Sequence, residues 1–214
     1  MKITLNQFIP KPLAETHNAI SAVWKQDNLY LNAADVNLII SESGKGKSSL
    51  ISSIYGIRKD YHGAILIDGH NITSFSATDW SDIRQKQLSI VFQSLKLFPE
   101  ISAWDNVQSK NQLQNHKSDS EVEQLFTGLG MMDYAKQIAG SLSFGQQQRI
   151  AIIRALCQPF SVILLDEPFS HLDEENAKTA WNLIREESQQ QNAQIIITGL
   201  SNTNFIKPDQ ILNI

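Results

Sequence analysis

Residues 36–49, VNLIISESGKGKSS, join a strand pattern to a helix pattern through a turn of small residues, and this arrangement is the strongest indication of the fold class. Val36–Ile40 is a mainly apolar run with β-branched residues, which predicts a buried strand. Residues 48–57 carry apolar side chains at helical spacing, which predicts a helix. The serines and glycines between them predict a tight loop that leads into the helix.

This loop has the spacing of a phosphate-binding loop. Its small residues let successive backbone N–H groups surround a β-phosphate at the helix N-terminus, where the partial positive charge favours an anion. Lys47 is expected to reach the β- and γ-phosphate oxygens, and Ser48 to offer a hydroxyl to Mg²⁺. The alternative is a flexible turn that carries two solvated lysines. The expected nucleotide ligands of the loop are Ser41, Glu42, Ser43, Gly44, Lys45, Gly46, Lys47, Ser48 and Ser49.

Ser41 departs from this pattern, which has glycine at its first position. A serine there would have to adopt a backbone angle that glycine reaches freely. We therefore expect a slightly strained loop, or a lower affinity for a bound phosphate group.

Strand and helix patterns alternate over the rest of the chain and predict an α/β fold, a P-loop core with a doubly wound, mostly parallel sheet. Residues 1–35 and 63–72 instead resemble antiparallel strands, with a turn at Asp68-Gly69, and predict a side sheet. The predicted strands are 36–40, 65–67, 89–92, 162–165 and 195–198, and the predicted helices are 48–57, 119–128, 146–157 and 174–190, the last with Asp173 as N-cap.

We expect a single domain that spans residues 1–214. Residues 1–93 and 146–214 are assigned to the core with its antiparallel side sheet. The more polar, helical stretch 94–145 is expected to form a helical subdomain inserted into that core. We expect no regulatory domain after the final short strand.

Two acidic residues follow the most apolar predicted strand, in the order Asp166-Glu167-Pro168. Open α/β sheets bind ligands at the carboxyl ends of their strands. Asp166 is therefore expected to hold Mg²⁺ directly or through a water, and Glu167 to polarise a water that attacks the γ-phosphate. Without a phosphate loop in the same chain, this pattern is also typical of a strand that simply leads into a turn.

The composition limits the classes of function. The chain has 214 residues, 42% of them hydrophobic, and a formal net charge of −4, which argues against a surface that binds duplex DNA. Its single cysteine, Cys157, excludes an internal disulfide and a multi-cysteine zinc site, and the apolar residues around it predict a buried thiol. No stretch matches a membrane-spanning helix or a signal peptide, so we expect a soluble protein that stays in the cytosol.

A third motif identifies the family that these features resemble. Residues 141–149, SLSFGQQQR, followed by Arg154-Ala155-Leu156, resemble the signature motif of ATP-binding cassette (ABC) ATPases, and they lie between the phosphate loop and the two carboxylates, as in that family. Val91-Phe92-Gln93 resembles its Q-loop, residues 170–173 its D-loop, and residues 63–69 its side-sheet hairpin. The resemblance covers essentially the whole chain.

The resemblance implies that the chain binds ATP and Mg²⁺ and hydrolyses ATP, with Glu167 as the catalytic residue, in a head-to-tail dimer. Each ATP would lie between the phosphate loop of one subunit and the signature of the other, where Ser143 and the Gly145 N–H donate to the γ-phosphate. Phe144 stands where the motif has glycine, and its ring is expected to alter packing at the dimer seam. The residues implied to act from the second subunit are Leu142, Ser143, Phe144, Gly145 and Gln146 of the signature, with Ser170, Leu172 and Asp173 of the D-loop.

The resemblance also assigns residues within one subunit. Gln93 is implied as a ligand of the nucleotide and of Mg²⁺, together with Ser48 and Asp166. Arg149 is expected to support its own subunit and not to act as a catalytic finger.

Within the family, residues 83–107 resemble the branch that includes lipoprotein-releasing, macrolide-export and cell-division ATPases. Those systems use a cytosolic cassette dimer to drive a membrane partner mechanically. The implied partners are therefore membrane permease subunits and a second cassette subunit, in a homodimer or a heterodimer, without direct contact to nucleic acid. The implied location is cytoplasmic, at the inner face of the cell membrane.

Two features depart from the family. The family has a histidine after the last predicted strand, where this chain has Gly199. The loss of one such γ-phosphate donor costs about 10²–10³ in turnover, so we expect slow hydrolysis. The sequence also does not identify the adenine-stacking aromatic residue near the N-terminus. Phe8 is nearest to the expected place, but residues 9–13 are not the usual loop, and a core position suits Phe8 at least as well. None of the five histidines, His17, His62, His70, His116 and His171, lies at the motif position, and His171 in the D-loop is expected to be able to approach a site across the dimer.

Two other functions remain open. A soluble cassette ATPase that acts on DNA usually carries coiled-coil arms or zinc modules, and this sequence has neither heptad arms nor cysteine pairs. A non-hydrolysing nucleotide switch or scaffold is favoured by Ser41 and Gly199. The residues that oppose it are the retained Lys47, Ser48, Gln93, Asp166 and Glu167.

Overall fold

The computed structural model describes residues 1–15, 21–31, 36–200 and 204–214, and the strands in these ranges form two sheets. The strands are β1 (Ile3–Pro10), β2 (Leu29–Leu31), β3 (Val36–Ile40), β4 (Tyr61–Ile67), β5 (His70–Asn71), β6 (Leu88–Val91), β7 (Val162–Asp166), β8 (Gln194–Gly199) and β9 (Gln210–Asn213). The helices are α1 (Lys11–Ala14), α2 (Lys47–Ile54), α3 (Ala77–Lys86), α4 (Ala103–Asn111), α5 (Asp119–Gly128), α6 (Phe144–Leu156) and α7 (Glu174–Gln190).

The larger sheet has the strand order β6-β7-β8-β3-β9, and every neighbouring pair is parallel. Four of its strands confirm the predicted runs, each within one residue at either end. Along β7, Val162 and Leu164 pack on one face of the sheet while Ile163 and Leu165 pack on the other. Both faces are therefore covered, as continuous apolar runs predict.

The smaller sheet has the order β2-β1-β4-β5 and is antiparallel, which confirms the predicted side sheet. Asp68 and Gly69 join β4 to β5 with φ angles of 48° and 82°, and two consecutive positive angles are typical of a tight hairpin turn. Residues 16–20 and 32–35 of the predicted side-sheet stretch, His17 among them, lie outside the described residues.

Helices lie on both faces of the parallel sheet, which confirms the doubly wound arrangement. α2, α3 and the antiparallel sheet pack on one face, and α4 to α7 form the other core. α5 and α7 have the predicted bounds. α2, which follows the phosphate loop, ends at Ile54 and not at residue 57 as predicted. Within the described ranges, no helix combines the length and the apolar character that crossing a bilayer requires.

α6 begins at Phe144, two residues before the helix predicted for 146–157. Ser143 explains this start, because its Oγ accepts the Gln146 N–H at 3.3 Å while Gln146 Oε1 accepts the Ser143 N–H at 2.8 Å. This reciprocal capping box fixes the first turn of the helix. The boundary expected between residues 145 and 146 therefore falls inside one continuous helix.

Candidate nucleotide-binding site

Two glycines shape the phosphate loop between β3 and α2. Gly44 and Gly46 have φ angles of 79° and 99°, in the left-handed region that favours glycine. A side chain at Gly46 would also collide with Leu13, since an added Cβ would lie 2.5 Å from its Cδ1 atom. α2 starts directly after Gly46, so the loop and the helix N-terminus together suit an anion.

The prediction that Ser41 strains this loop is wrong. The positive φ angles of the loop belong to Gly44 and Gly46 and not to Ser41. The serine therefore does not adopt the left-handed backbone conformation that is unfavourable for residues other than glycine. Ser41 is buried, its N–H donates to the Gly199 carbonyl at 3.3 Å, and its own carbonyl accepts from Lys47 Nζ at 2.7 Å. A serine therefore fits this position through ordinary backbone hydrogen bonds.

Lys47 is only 4% exposed, and its ammonium is held where the loop meets the end of β7. Nζ donates to the carbonyls of Ser41 and Glu42, at 2.7 and 3.0 Å, and lies 3.2 Å from Glu167 Oε1. A buried ammonium needs such partners. A phosphate that enters the loop would thus meet a cation that is already fixed in position.

A series of hydrogen bonds links the first turn of α2 to the carboxylates after β7. Ser48 Oγ donates to Gln93 Oε1 at 3.2 Å, and Gln93 Nε2 donates to Glu167 Oε2 at 3.2 Å. The Ser48 hydroxyl also acts to lower the pKa of the nearby Asp166 carboxyl. Oxygen atoms of Ser48, Gln93 and Asp166 therefore converge, and hard oxygen ligands are those that Mg²⁺ prefers. This donor set fits the expected magnesium ion.

Thr198, in β8, is a site residue that the sequence analysis missed. Its hydroxyl accepts the Glu167 N–H at 3.1 Å and donates to Asp166 Oδ1 at 3.0 Å. The first bond supports Glu167 at a φ of 49°, a conformation that costs a non-glycine residue about 1–2 kcal/mol. Burial raises the pKa of Asp166, and hydrogen bonds from Ser48 and Thr198 act in the opposite direction. The sequence signal that could have identified Thr198 is its position, since it is a polar residue at the end of the last apolar run.

The phosphate loop, Gln93 and Glu167 line one cleft of about 320 Å³. Pro10, Pro12 and Leu13 form an apolar wall of the same cleft. Phe8 does not belong to this wall, because it is fully buried and its ring packs on those of Trp24 and Tyr61, with centroids 5.7 and 5.1 Å away. Of the two positions considered for Phe8, the core position is therefore confirmed.

The signature motif lies at the start of α6, with some side chains outside and others in the core. Leu142 is 6% exposed and packs in the core, so it anchors the motif within its own subunit. Ser143 is exposed, and Phe144 is 59% exposed with its ring 4.7 Å from that of His171. Gly145 has no room for a side chain, since an added Cβ would lie 2.9 Å from the His171 carbonyl oxygen.

The predicted D-loop is connected to the backbone of Glu167 through Gln148. Gln148 Oε1 accepts the His171 N–H at 3.0 Å, and Gln148 Nε2 donates to the Glu167 carbonyl at 3.3 Å. Asp173 accepts the Asn176 N–H at 2.8 Å, which confirms it as the N-cap of α7. Ser170 is exposed, and Leu172 packs against the core.

Arg149 supports its own subunit, as expected. Its Nη1 donates to the Leu129 carbonyl at 2.9 Å and to Asn176 Oδ1 at 3.3 Å. These bonds join α6 to the end of α5 and to α7. Neither partner belongs to the cleft, so the Arg149 guanidinium stabilises the packing of α6 against α5 and α7.

Gly199 ends β8, where it pairs with Ile40 and borders a second cavity of about 190 Å³ beside Glu167. Mainly apolar residues line this cavity, Leu38 and Ile206 among them. The described histidines lie elsewhere: His62 on β4, His70 on β5, His116 before α5 and His171 after β7. None of these described histidines stands at the position where the family has its histidine.

Comparisons with known proteins agree with this geometry. Residues 24–170 match the family "ABC transporter". The ABC transporter ATP-binding protein YtrE of Bacillus subtilis is 31% identical, over 82% of this chain and 77% of that protein. The lipoprotein-releasing system ATP-binding protein LolD of Buchnera aphidicola is 31% identical, over 99% of this chain and 90% of that protein.

The fold agrees as well. The solved "Dimeric Structure of MJ0796, a Bacterial ABC Transporter Cassette" superposes with a TM-score of 0.78, covers 93% of this chain and 88% of that one, and is 24% identical. The family match extends over more than half of the chain, and LolD is similar over nearly all of it. On these grounds, the chain belongs to the ABC transporter family and is an ATPase domain of that family.

Proposed function

We propose that this chain is the ATP-binding and ATP-hydrolysing subunit of an ABC transporter or mechanotransmission complex, and that it drives a membrane partner through ATP-dependent dimerisation. The observation that carries the proposal is the convergence of Lys47, Ser48, Gln93 and Glu167 in one cleft through direct contacts. A cation, a magnesium ligand and a base are thus within the span of a single triphosphate. The names of the relatives YtrE and LolD support the same class of protein.

Each side chain of the cleft has a separate role in the proposed hydrolysis. The loop N–H groups and Lys47 would hold the β- and γ-phosphates, and Glu167 would polarise the attacking water. Mg²⁺, when bound by Ser48, Gln93 and Asp166, neutralises charge on the phosphate oxygens. The remaining requirement is a group that completes the site from the other side of the γ-phosphate.

A second cassette subunit would supply that group. Ser143 is exposed at the N-terminus of α6, and its hydroxyl, which accepts the Gln146 N–H, retains a hydrogen for donation. The Gly145 N–H lies in the same first turn, where an anion is favoured. The dimeric MJ0796 cassette, which shares the fold, is consistent with such a pair. Phe144, whose ring packs at a tilt against that of His171, would then lie at the seam between the subunits.

Gly199 makes the proposed hydrolysis slow. The retained Glu167 can still polarise a water, but no imidazole at this position holds the γ-phosphate, and one such donor is worth about 10²–10³ in turnover. The same residue favours a second candidate function, a nucleotide switch that binds ATP without hydrolysing it. The two differ in one measurable property, the release of phosphate.

The membrane partner is proposed to act on the loop after Gln93. Gln93 lines the nucleotide cleft, while its neighbour Phe92 lines an adjacent groove with the exposed side chains Phe98 and Leu113. Arg154 holds the same loop through hydrogen bonds to the Leu95 and Lys96 carbonyls, at 2.7 and 2.6 Å. A permease segment with apolar and acidic side chains would suit this basic, apolar groove. The cassette would then lie on the cytoplasmic face of the membrane through its partner.

Phosphate release tests the proposal. Purified protein is incubated with MgATP, and Glu167→Gln, which keeps the size but removes the base, serves as the matched control. Slow release by the parent that disappears in Glu167→Gln supports hydrolysis. Binding of MgATP without release by either protein favours the switch. Failure of the parent to bind MgATP at all overturns both functions.

A further inference from the structure

The cleft contains a second fixed cation that none of the sequence motifs includes. Arg58 lies four residues after the end of α2 and lines the cleft together with Lys47. Its Nη1 donates to Ser49 Oγ at 2.6 Å, and its Nε and Nη2 donate to the two Asp60 carboxylate oxygens at 2.6 and 2.8 Å. The guanidinium is therefore held against the first turn of α2 and does not extend freely into solvent.

Arg58 approaches α2 from a different side than the catalytic groups do. Ser48 points to Gln93 and through it to Glu167, whereas Ser49 receives the bond from Arg58. Successive helical residues are rotated by about 100°, so the two serines direct these contacts to different parts of the cleft. The part with Glu167 is where the γ-phosphate reacts. The part with Arg58 is then nearer the α-phosphate.

The walls of the cleft agree with this direction. Pro10, Pro12 and Leu13 are the apolar lining residues, and a nucleoside is the apolar end of the ligand. The backbone also connects Arg58 to this wall, because the Lys11 N–H donates to the Asp60 carbonyl at 2.9 Å. Asp60 thus fixes the guanidinium and joins it to α1, which follows Pro10.

The guanidinium retains donors for a ligand. It has five N–H hydrogens, and in the described part of the chain Ser49 and Asp60 take three of them. The bidentate pair with Asp60 fixes the plane of the group, so little further ordering is needed when an anion binds. The Arg58 side chain is 32% exposed, which leaves it accessible from the cleft.

We infer that Arg58 is a nucleotide-binding residue that donates to the α-phosphate region of a nucleoside di- or triphosphate, with Asp60 as its positioning residue. This inference rests on the proposed nucleotide-binding function and names a further ligand at the same site. Because the α- and β-phosphates are common to ATP and ADP, Arg58 contributes to the affinity for both. It differs in this respect from a group that contacts only the γ-phosphate.

Calorimetric titration with MgATP and with MgADP tests the inference. Arg58→Gln is expected to weaken the binding of both by about tenfold, the effect of one lost charge-assisted contact that is partly solvated. Arg58→Lys, which keeps the charge but not the fork, is expected to lose less. Lys59→Gln is the matched control, since Lys59 is exposed, adjacent in sequence and outside the cleft lining, and it should change either affinity less than twofold. Thermal melting establishes that each variant is folded.

Two results would overturn the assignment. One is an unchanged affinity of Arg58→Gln for both nucleotides, and the other is a loss confined to ATP, which would move Arg58 to the γ-phosphate. If Lys47→Ala loses affinity and Arg58→Gln does not, only this inference fails. If the parent binds neither nucleotide, the proposed function fails and the role of Arg58 fails with it.

Discussion

Lys47 Nζ lies 3.2 Å from Glu167 Oε1, so the cation of the phosphate loop and the expected catalytic base form an ion pair. The two side chains are 4% and 15% exposed, which makes the pair largely buried. A γ-phosphate that binds to Lys47 competes with Glu167 for the same ammonium. Nucleotide binding would therefore release the carboxylate from Lys47 and leave it available to the attacking water.

Lys47→Ala should weaken the binding of MgATP by tenfold or more, because a charge-assisted hydrogen bond to phosphate is worth about 1.5–3 kcal/mol. Calorimetric titration measures the affinity. Lys86→Ala is the control, since Lys86 lies on the surface of α3 and pairs with Asp82. Equal affinities of Lys47→Ala and the parent would remove the phosphate-loop assignment.

Cys157 should resist thiol reagents in the folded protein. It is fully buried, and burial raises the pKa of its thiol to about 12, so almost no thiolate forms at pH 8 to 9. Since the thiolate is the reactive form, the folded protein should label slowly across this range, and the same protein in denaturing urea should label quickly. Rapid labelling before unfolding would contradict the packing of α6.

Lys117→Met should destabilise the protein by about 3–5 kcal/mol, because it leaves Glu187 as a buried charge without its partner. Lys117 Nζ lies 2.8 Å from Glu187 Oε2, and the side chains are 8% and 9% exposed. Urea unfolding measures the change. Lys178→Met, which removes an exposed i,i+4 pair with Glu174, is the matched control and should cost no more than about 0.5 kcal/mol. Similar losses in both variants would argue against the buried pair.

Gly199→His should raise the rate of phosphate release, by at most about 10²–10³, if the rest of the site is competent. The physical reason is that the imidazole would restore a γ-phosphate contact and an orienting partner for the water. A parent that already turns over as fast as intact cassettes, with no gain from the histidine, would show that another group has taken this role. An unchanged, undetectable rate in both would favour the switch, since catalytic groups act as a unit.

Sequence patterns predicted the elements whose signals are local. The buried strands stand out because apolar residues must cover both faces of a parallel sheet, and the phosphate loop because Gly44 and Gly46 adopt angles that other residues avoid. The start of α6 was predicted two residues late, although Ser143 and Gln146 have the Ser-x-x-Gln spacing of a capping box, which is a local signal for a helix start. The strain assigned to Ser41 was wrong because the family pattern gives the residue type and not the backbone angle.

Contacts between distant segments had no local signal. Glu167, at a φ of 49°, donates its N–H to Thr198, a residue on another strand of the sheet. Arg58 and Asp60 follow α2 in a stretch without a motif, and only the fold brings them to Ser49 and the cleft. The motifs therefore predicted which chemistry is present, and the packing of the chain determines how each group is held.

ATP-dependent dimerisation is tested by the mass of Glu167→Gln in solution, measured by light scattering with and without MgATP. The variant should retain ATP because it lacks the base, and the bound triphosphate should join the loop of one subunit to Ser143 of another. A monomer alone and with MgADP, and a dimer with MgATP, is the predicted result. A monomer at MgATP concentrations that calorimetry shows to be saturating, also in the presence of the membrane partner, would contradict it.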